Sequence, residues 1–564
     1  MEIAMKDGQL FMRNMDSTQY NVIRGVRSVK WDKKRQMLIG PAELELLQCL
    51  NAIITLPTKV EAERVRLESI QKDIDRIRME DSPEELVHYP VKANLFAHQI
   101  KAANMALLAL RGNNDVSPRF NKGFGFLFEM GCGKTLTAIA TAGAMFQKGL
   151  VHKVLVVAPT SVVSVWPKDF ESFADFDYKI GVMLGTKDQR LKELKKLTAP
   201  QGVMLVAAIN YESVWRDGIK ESIMEWNPDL VIADESQRIK THDARQSKAM
   251  HEIGDQARYK LILSGTPVQN NCLDLYSQYR FLDKSVFGVN YYAYRNRYCI
   301  MGGFNQYQVV GYKNMDDLIK REHSIAYRVT KEECLDLPEQ IFETRTLQFS
   351  PKEMALYKQI KEQSYAELEG GGQITAATVL TKMLRLQQMT GGFLIKDDDD
   401  KPQMISDVKI KALEDIIDDY VLETGKKLVV FARFRAEIDL IEKLLQKKKL
   451  QYGCIYGDIK LQDRGDIVKD FQENPETKVF VAQIDTAGLG ITLTAADTCV
   501  YYSVNWNYAA YSQSLARIHR IGQRNNCTYI HLVVDKTIDS EVLKALGKKE
   551  DIAKTIVDNW KMFF

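Results

Sequence analysis

Short, continuously apolar runs alternate with helical stretches twice along this chain, and few folds accept that pattern. The first series is Phe124–Phe128, Val154–Val157, Met204–Ala208, Leu230–Ala233 and Leu261–Leu263. The second is Lys427–Phe431, Tyr452–Tyr456, Lys478–Ala482, Thr498–Tyr502 and Cys527–Val534. A strand that is apolar on both sides must be covered on both, which a parallel sheet between crossover helices achieves. The pattern therefore predicts an α/β chain with two parallel-sheet units, residues 91–282 and 401–564. Between them, residues 283–400 are rich in tyrosine and arginine and carry no such alternation; they read as a helical insertion and linker. The run Lys396–Lys401, acidic in its interior, reads as a solvated loop.

The start of the chain is different. Residues 1–58 read as a small α+β module. Its strand-rich run, Val22–Trp31, leads through the polar turn Asp32–Arg35 into Gln36–Ile39. Pro41 is expected to open a helix with Leu44, Leu47 and Leu50 at three-residue spacing. Residues 59–90 form a connection, and the mixed acids and bases of 61–80 suit a solvated helix.

Composition narrows the function classes. At 564 residues the chain exceeds one domain of ~150 residues. With 77 basic and 74 acidic side chains the net charge is only +3, so a polyanion partner would need a local basic surface. The 45% hydrophobic content excludes disorder as the dominant state. Eight cysteines lie scattered without CxxC pairs or histidines at ligand spacing, which argues against a zinc module and a disulfide framework. No signal-peptide core opens the chain, no run approaches the ~18 apolar residues of a membrane span, and no solenoid repeat is visible. A reducing, cytoplasmic or nucleoid compartment and no membrane partner are expected, and the economy of length suggests a bacterial or phage-type protein.

The chemistry begins where the Phe124–Phe128 run meets a helical stretch. Between them lies Glu129-Met130-Gly131-Cys132-Gly133-Lys134-Thr135. Glycines in such a turn let backbone amides converge on phosphate oxygens at a helix N-terminus. Lys134 would add a point charge and Thr135 a hydroxyl for Mg²⁺. The strict pattern has a further glycine where Phe128 stands, so alone the loop could be a simple glycine turn. Val231–Glu235 then ends a strand in two carboxylates: Asp234 suits the Mg²⁺ shell, and Glu235 suits the activation of water. Together they imply nucleoside triphosphate hydrolysis. Arg517 and Arg520, three apart in a stretch read as helical, would present planar donors to phosphate on one face. Such a finger is typically worth ~10³–10⁵ in rate.

The ordered set resembles the Swi/Snf-type helicase-like ATPases of helicase superfamily two. Leu95–Gln99 is similar to that family's base-reading segment, with Gln99 on the nucleotide. Glu129–Thr135 resembles its first motif, Ala158–Ser161 with Trp166 the next, Asn210-Tyr211-Glu212 a short segment, and Asp234–Gln237 its DEAH-like box. Leu263–Asn270 resembles the motif that couples hydrolysis to the DNA track. In the second half, Asp485–Asp497, Trp506-Asn507 and Arg517–Gln523 follow in order. The middle segment (Tyr294–Cys299, Asn314, Leu318, Arg328–Lys331, Leu337-Pro338) resembles the annealing-helicase branch. Val26–Asp32 with Pro41 is similar to that branch's HARP-like substrate-recognition module. Gln237 replaces the usual His, and Thr241 the usual Asn; a glutamine can still bridge by hydrogen bond to the coupling motif.

The resemblance implies two RecA-like lobes with ATP and Mg²⁺ as cofactors. It implies Met130–Thr135, Gly488 and Gly490 on the nucleotide, and Lys134, Glu235, Arg517 and Arg520 in catalysis. Gln237, Ser264, Gly265 and Thr266 would couple hydrolysis to DNA. Ser161, Trp166, Thr266, Thr492 and Trp506 would lie along the DNA. The expected function is that of a double-stranded-DNA translocase, a monomer acting on branched DNA or displacing proteins from it. Two alternatives stay open: an RNA-directed helicase of the same superfamily, and an ATP-binding DNA or polymerase scaffold with little hydrolysis.

Overall fold

The computed structural model describes residues 1–26, 28–111, 122–198, 201–303, 308–334, 337–369, 376–396, 399–459, 461–485 and 491–557. Gly488 and Gly490 lie outside the described residues, as do Asp397 and Asp398 of the acidic run. The chain forms two compact units, one built chiefly from residues 1–334 and the other from residues 335–551.

The first unit opens with β1 (Glu2–Lys6), β2 (Gln9–Arg13), β3 (Lys30–Asp32) and β4 (Met37–Pro41), an antiparallel sheet in the order β1-β2-β4-β3. The helix α1 (Ser17–Arg24) follows β2, so the predicted strand from Val22 is wrong over its first part. Asp16 and Gln19 form a reciprocal capping box that starts this helix, and burial of Ile23 holds it. Pro41 ends β4 instead of opening a helix, and α2 (Leu44–Asn51) begins three residues later. Leu46, Leu47 and Leu50 of α2 are buried against Leu10, Met12 and Leu38 of the sheet.

The connecting helix α3 (Thr58–Met79) is solvated along much of its length but anchored at both ends. Val60 and Leu67 join the core of the small module. At the other end the fully buried Arg78 donates to the carbonyls of Ala326 (3.1 Å) and His323 (2.6 Å). An arginine placed there ties the small module to the larger sheet, because its donors have no water to return to.

That sheet contains β5 (Lys122–Phe128), β6 (Lys153–Ala158), β7 (Tyr178–Met183), β8 (Met204–Asn210), β9 (Leu230–Asp234) and β10 (Tyr259–Leu263). A hairpin, β11 (Cys299–Gly302) and β12 (Gln308–Tyr312), precedes its last strand, β13 (Ala326–Val329). The order is β13-β5-β10-β9-β6-β8-β7, parallel throughout. The helix α4 (Ala97–Arg111) precedes β5, and α5 (Lys134–Gln147) follows it. Two of the tyrosines after residue 283 are core residues: Tyr294 and Tyr298 pack on Phe287 at ring separations of 5.0 and 5.9 Å, while Tyr292 is exposed.

The second unit repeats the scheme. It contains β14 (Gln340–Leu347), a hairpin of β15 (Phe393–Lys396) and β16 (Asp399–Met404), then β17 (Leu428–Ala432), β18 (Gln451–Ile455), β19 (Thr477–Gln483), β20 (Thr498–Tyr501) and β21 (Cys527–Val534). The parallel sheet runs β14-β21-β20-β17-β19-β18. Residues 283–400, expected as a helical insertion and linker, contain strands as well as helices. They supply an edge strand to each sheet, β13 to the first and β14 to the second. Both halves are RecA-like α/β lobes with parallel sheets, preceded by an α+β module. Among the described residues, no helix is long and apolar enough to cross a membrane.

Candidate phosphate and coupling site

The glycine loop leaves β5 at Phe128 and enters α5 at Lys134. Gly131 (φ 92°) and Gly133 (φ 84°) both take the left-handed conformation that a side chain disfavours. Gly133 has a second reason to lack a side chain: a Cβ there would fall 1.9 Å from Nε2 of Gln99. Gln99, in the first turn of α4, is buried; its Oε1 accepts from the Phe96 amide (2.9 Å) and its Nε2 donates to the Cys132 carbonyl (3.4 Å). His98 Nε2 lies 2.9 Å from the same carbonyl. Lys134 Nζ donates to the carbonyls of Phe128 (3.0 Å) and Glu129 (3.4 Å), across the mouth of the loop. The structure therefore brings Gln99, Met130, Gly131, Cys132, Gly133, Lys134 and Thr135 to one place.

The carboxylates stand beside it because β9 and β10 run in register, with Asp234 opposite Leu263. Asp234 is buried, and its Oδ1 accepts from the Glu235 amide (3.0 Å). Burial, then the adjacent Glu235 charge, pushes the Asp234 carboxyl up to about 7, while Lys134 pulls it the other way. Tyr211, from the Asn210-Tyr211-Glu212 segment, donates its hydroxyl to the Asp234 carbonyl at 2.8 Å. Glu235 has φ 51°, a left-handed backbone costing roughly 1–2 kcal/mol for a residue with a side chain. That turn points its carboxylate along a chain of hydrogen bonds. Gln237 Nε2 donates to Glu235 Oε2 (2.5 Å), Ser264 Oγ donates to Gln237 Oε1 (2.8 Å), and the Thr266 amide donates to Ser264 Oγ (3.1 Å). The glutamine in place of histidine joins the carboxylate to the next motif with both ends of its amide. Gly265 sits close over the phosphate loop, where a Cβ would be 3.2 Å from the Phe128 carbonyl.

Several expected DNA contacts are placed elsewhere. Trp166 is fully buried beneath the site and donates its indole N–H to Asp234 Oδ2 (3.1 Å), so it supports the carboxylate and offers no surface. The Thr266 hydroxyl is buried and has no hydrogen-bond partner among the described residues, which removes it from any exposed track. Ser161 is half-buried in the short helix Thr160–Val163. One residue missed as a site residue is Arg328 on β13, nearly buried. It donates to the carbonyls of Leu127 and Gly265 (both 3.1 Å) and pairs with Glu129 (2.9 Å), tying the loop to the coupling motif. Glu129 also accepts from the Lys331 amide at 3.0 Å. The run Arg328–Lys331 was visible in the sequence, but its contacts lie 63 to 202 positions away.

In the second unit Arg517 and Arg520 lie on turns and not on a helix. The helix Tyr508–Leu515, capped by Asn507, ends before them. They still converge: each donates to the Ile491 carbonyl at 3.4 Å, and Arg520 also donates to the Thr492 hydroxyl at 3.0 Å. Thr492 thus positions an arginine. Gln523 fixes the turn by donating to the Ala496 carbonyl at 2.8 Å, and Gly522 takes φ 99°. Trp506 is half-buried against the lobe core, and its carbonyl accepts from Lys549 at 2.8 Å.

The donor set fits a magnesium nucleotide. Left-handed glycines, an ammonium, a threonine hydroxyl and one buried carboxylate suit phosphates plus a cation that keeps most of its own shell. Among the described residues, no cluster of three or more His, Cys, Asp or Glu could cage a metal by itself.

Residues 98–391 match the SNF2-related domain, and residues 408–522 match the helicase conserved C-terminal domain. An uncharacterized ATP-dependent helicase of Mycoplasma genitalium is 27% identical over 439 residues, 77% of this chain and 40% of that protein. A DNA repair and recombination protein RAD54-like of Danio rerio is 25% identical over 473 residues, 76% of this chain and 63% of that protein. The Sulfolobus solfataricus SWI2/SNF2 ATPase core in complex with dsDNA is 24% identical, covering 84% of this chain and 95% of that one, with a TM-score of 0.39. The chain spans about two fifths of the length of the first curated relatives it matches.

Proposed function

This chain belongs to the SNF2-related family, and we propose that it is a DNA-stimulated ATPase that moves along double-stranded DNA. The observation that carries the proposal is the unbroken relay from Glu235 through Gln237 and Ser264 to Thr266. A carboxylate that only hydrolysed nucleotide would need no such link to a neighbouring motif. In this reading the loop amides and Lys134 hold the phosphates, and Thr135 and Asp234 would hold Mg²⁺, which when bound neutralises phosphate charge. Glu235 orients water and accepts its proton. Arg517 and Arg520, gathered in the second unit, are planar donors of the kind that stabilise charge on a transferring phosphoryl group.

Similarity to a DNA repair and recombination protein favours DNA over RNA and a role in repair, recombination or fork remodelling. The small module is the proposed reader of branched DNA, in keeping with its HARP-like segment. Lys30, Lys33, Lys34 and Arg35 are exposed there. Beside them the 43% exposed Trp31 meets Tyr20 edge-on at 5.8 Å, at a cavity of about 480 Å³ lined also by Asn14, Asn21 and Gln36. Aromatic faces and amides suit unpaired bases, and the lysines suit phosphates.

Phosphate release would be measured with no nucleic acid, single-stranded DNA, linear duplex, forked duplex and RNA. Stimulation by duplex or fork is expected, with fork preference lost in Trp31→Ala combined with Lys33→Glu and Lys34→Glu. Stronger stimulation by RNA would replace this reading with an RNA-directed one; tight DNA binding without phosphate release would replace it with a scaffold.

A further inference from the structure

Four of the eight cysteines, scattered in sequence, meet as two pairs. Cys272 and Cys299 have their sulfurs 3.3 Å apart, and both are buried. Cys132 and Cys334 have theirs 3.0 Å apart although 202 positions separate them. The second pair sits in a functional place. Cys132 lies between the two left-handed glycines of the phosphate loop, and its carbonyl is held by His98 and Gln99. Cys334 ends the short helix Lys331–Cys334 and is half-buried, which gives an oxidant a route that the other pair lacks. That helix is already fixed to the loop, since Glu129 accepts from the Lys331 amide and pairs with Arg328. The two sulfurs therefore face each other across a braced interval.

We propose that Cys132 and Cys334 are an oxidation site, forming a reversible disulfide that disables the phosphate loop. The proposal deepens the ATPase reading and rests on it. The oxidant is a peroxide. One thiolate attacks a peroxide oxygen, the O–O bond breaks, and a sulfenic acid and one water result once the proton is taken up. The second thiolate attacks that sulfur, the S–S bond forms, and the S–O bond breaks to release a second water. Two thiols are oxidised and one peroxide is reduced to two waters. A dithiol reverses the step by exchange.

The consequence follows from distance. A disulfide holds its sulfurs about 2.05 Å apart, so the present contact must close by roughly 1 Å. Cys132 lies inside the loop, so part of that movement falls on it, and Glu129, which accepts from the Lys331 amide and pairs with Arg328, ties the start of the helix to the first residue of the loop. Amides that bind phosphate tolerate little displacement: an ångström of misplacement typically costs ~10²-fold in rate. The hydrogen bond from Cys334, and then the charges of Lys134 and Lys331, hold the Cys132 thiol below its ordinary range against its burial, which favours the thiolate there.

The full chain would be treated with hydrogen peroxide, blocked with an alkylating reagent and digested. Peptide mapping by mass spectrometry reads the linkage, while fluorescent-nucleotide binding and phosphate release read the consequence. A peptide joining Cys132 to Cys334 is expected, with turnover and binding lowered by about 10²-fold and restored by dithiothreitol. Cys334→Ser should keep basal turnover and lose the peroxide sensitivity, and Cys334→Ala should do the same. Linkage through Cys272 and Cys299 alone, no linkage, or linkage with unchanged nucleotide binding would each overturn the proposal. Reduced protein that binds no nucleotide at all would instead refute the ATPase reading, while the peptide map would still decide the thiol pair.

Discussion

Ser264→Ala isolates the relay from the proposed hydrolytic site. The Ser264 side chain is fully buried; its hydroxyl donates to Gln237 at 2.8 Å and accepts from the Thr266 amide at 3.1 Å. Removing it deletes both hydrogen bonds while leaving Lys134, Asp234 and Glu235 chemically intact. At about 1 kcal/mol net for each bond, the linkage between the motifs weakens by about 2 kcal/mol. Since ~1.4 kcal/mol is tenfold, the ratio of DNA-stimulated to basal turnover should fall by roughly thirtyfold. Basal turnover and nucleotide affinity should change by no more than about threefold, less than one such bond. The assay is phosphate release with and without duplex DNA, alongside a thermal melt to exclude unfolding. Gln237→Ala should give a similar loss, and the double variant should cost little more than either single one, because both break one path. An unchanged stimulation ratio, or fully additive losses, would refute the argument that this relay carries the DNA signal.

Three further outcomes follow from the geometry. Gly133→Ala should abolish nucleotide binding, through a left-handed backbone costing about 1–2 kcal/mol and the contact with Gln99; adding Gln99→Ala should recover only part of it, as read by fluorescent-nucleotide titration. Arg328→Ala strands the Glu129 carboxylate and two carbonyls. It should lower unfolding free energy in urea by about 2–4 kcal/mol and raise KM for ATP, with Arg328→Lys falling short of rescue for want of the planar fork. Glu43, in the small module, is pushed up to about 8 by burial and then by Asp283, against the pull of Lys122. A carboxyl raised in the folded state contributes stability below its ordinary 4.5 and loses it as pH rises through the folded value. Glu43→Gln should therefore stabilise by about 1–3 kcal/mol above pH 8 and change little below pH 4.5, which a melt at the two pH values would check.

The parts of this molecule legible in sequence are those whose signal is local or doubly buried. Strands β5, β6, β8, β9 and β10 are apolar on both faces and announce themselves. The edge strands β7, β13 and β14 do not: β7 and β14 are partly exposed, and β13 has only four residues. Val22 reads as a strand residue by propensity, yet Asp16 and Gln19 cap a helix through it; the cap outweighed the branched side chain. Spacing placed the glycine loop, the Asp234–Glu235 pair and the Gln237 bridge, because each rests on residues a few positions apart or on a known motif order. The contacts of Arg328, the Cys132–Cys334 pair and the burial of Trp166 under Asp234 depend on long-range closure, which no spacing records. The arginine segment shows the converse case: the helix that the three-residue spacing implied is absent, yet the Ile491 carbonyl gathers both side chains.

The most direct test of the central claim compares phosphate release by the wild-type chain and by Glu235→Gln at saturating duplex DNA, with nucleotide binding measured in both. Loss of the base should lower turnover by about 10²–10⁴-fold while binding survives, and wild-type turnover should rise on adding duplex. Turnover that survives Glu235→Gln, or a wild-type rate indifferent to duplex DNA, would contradict the account.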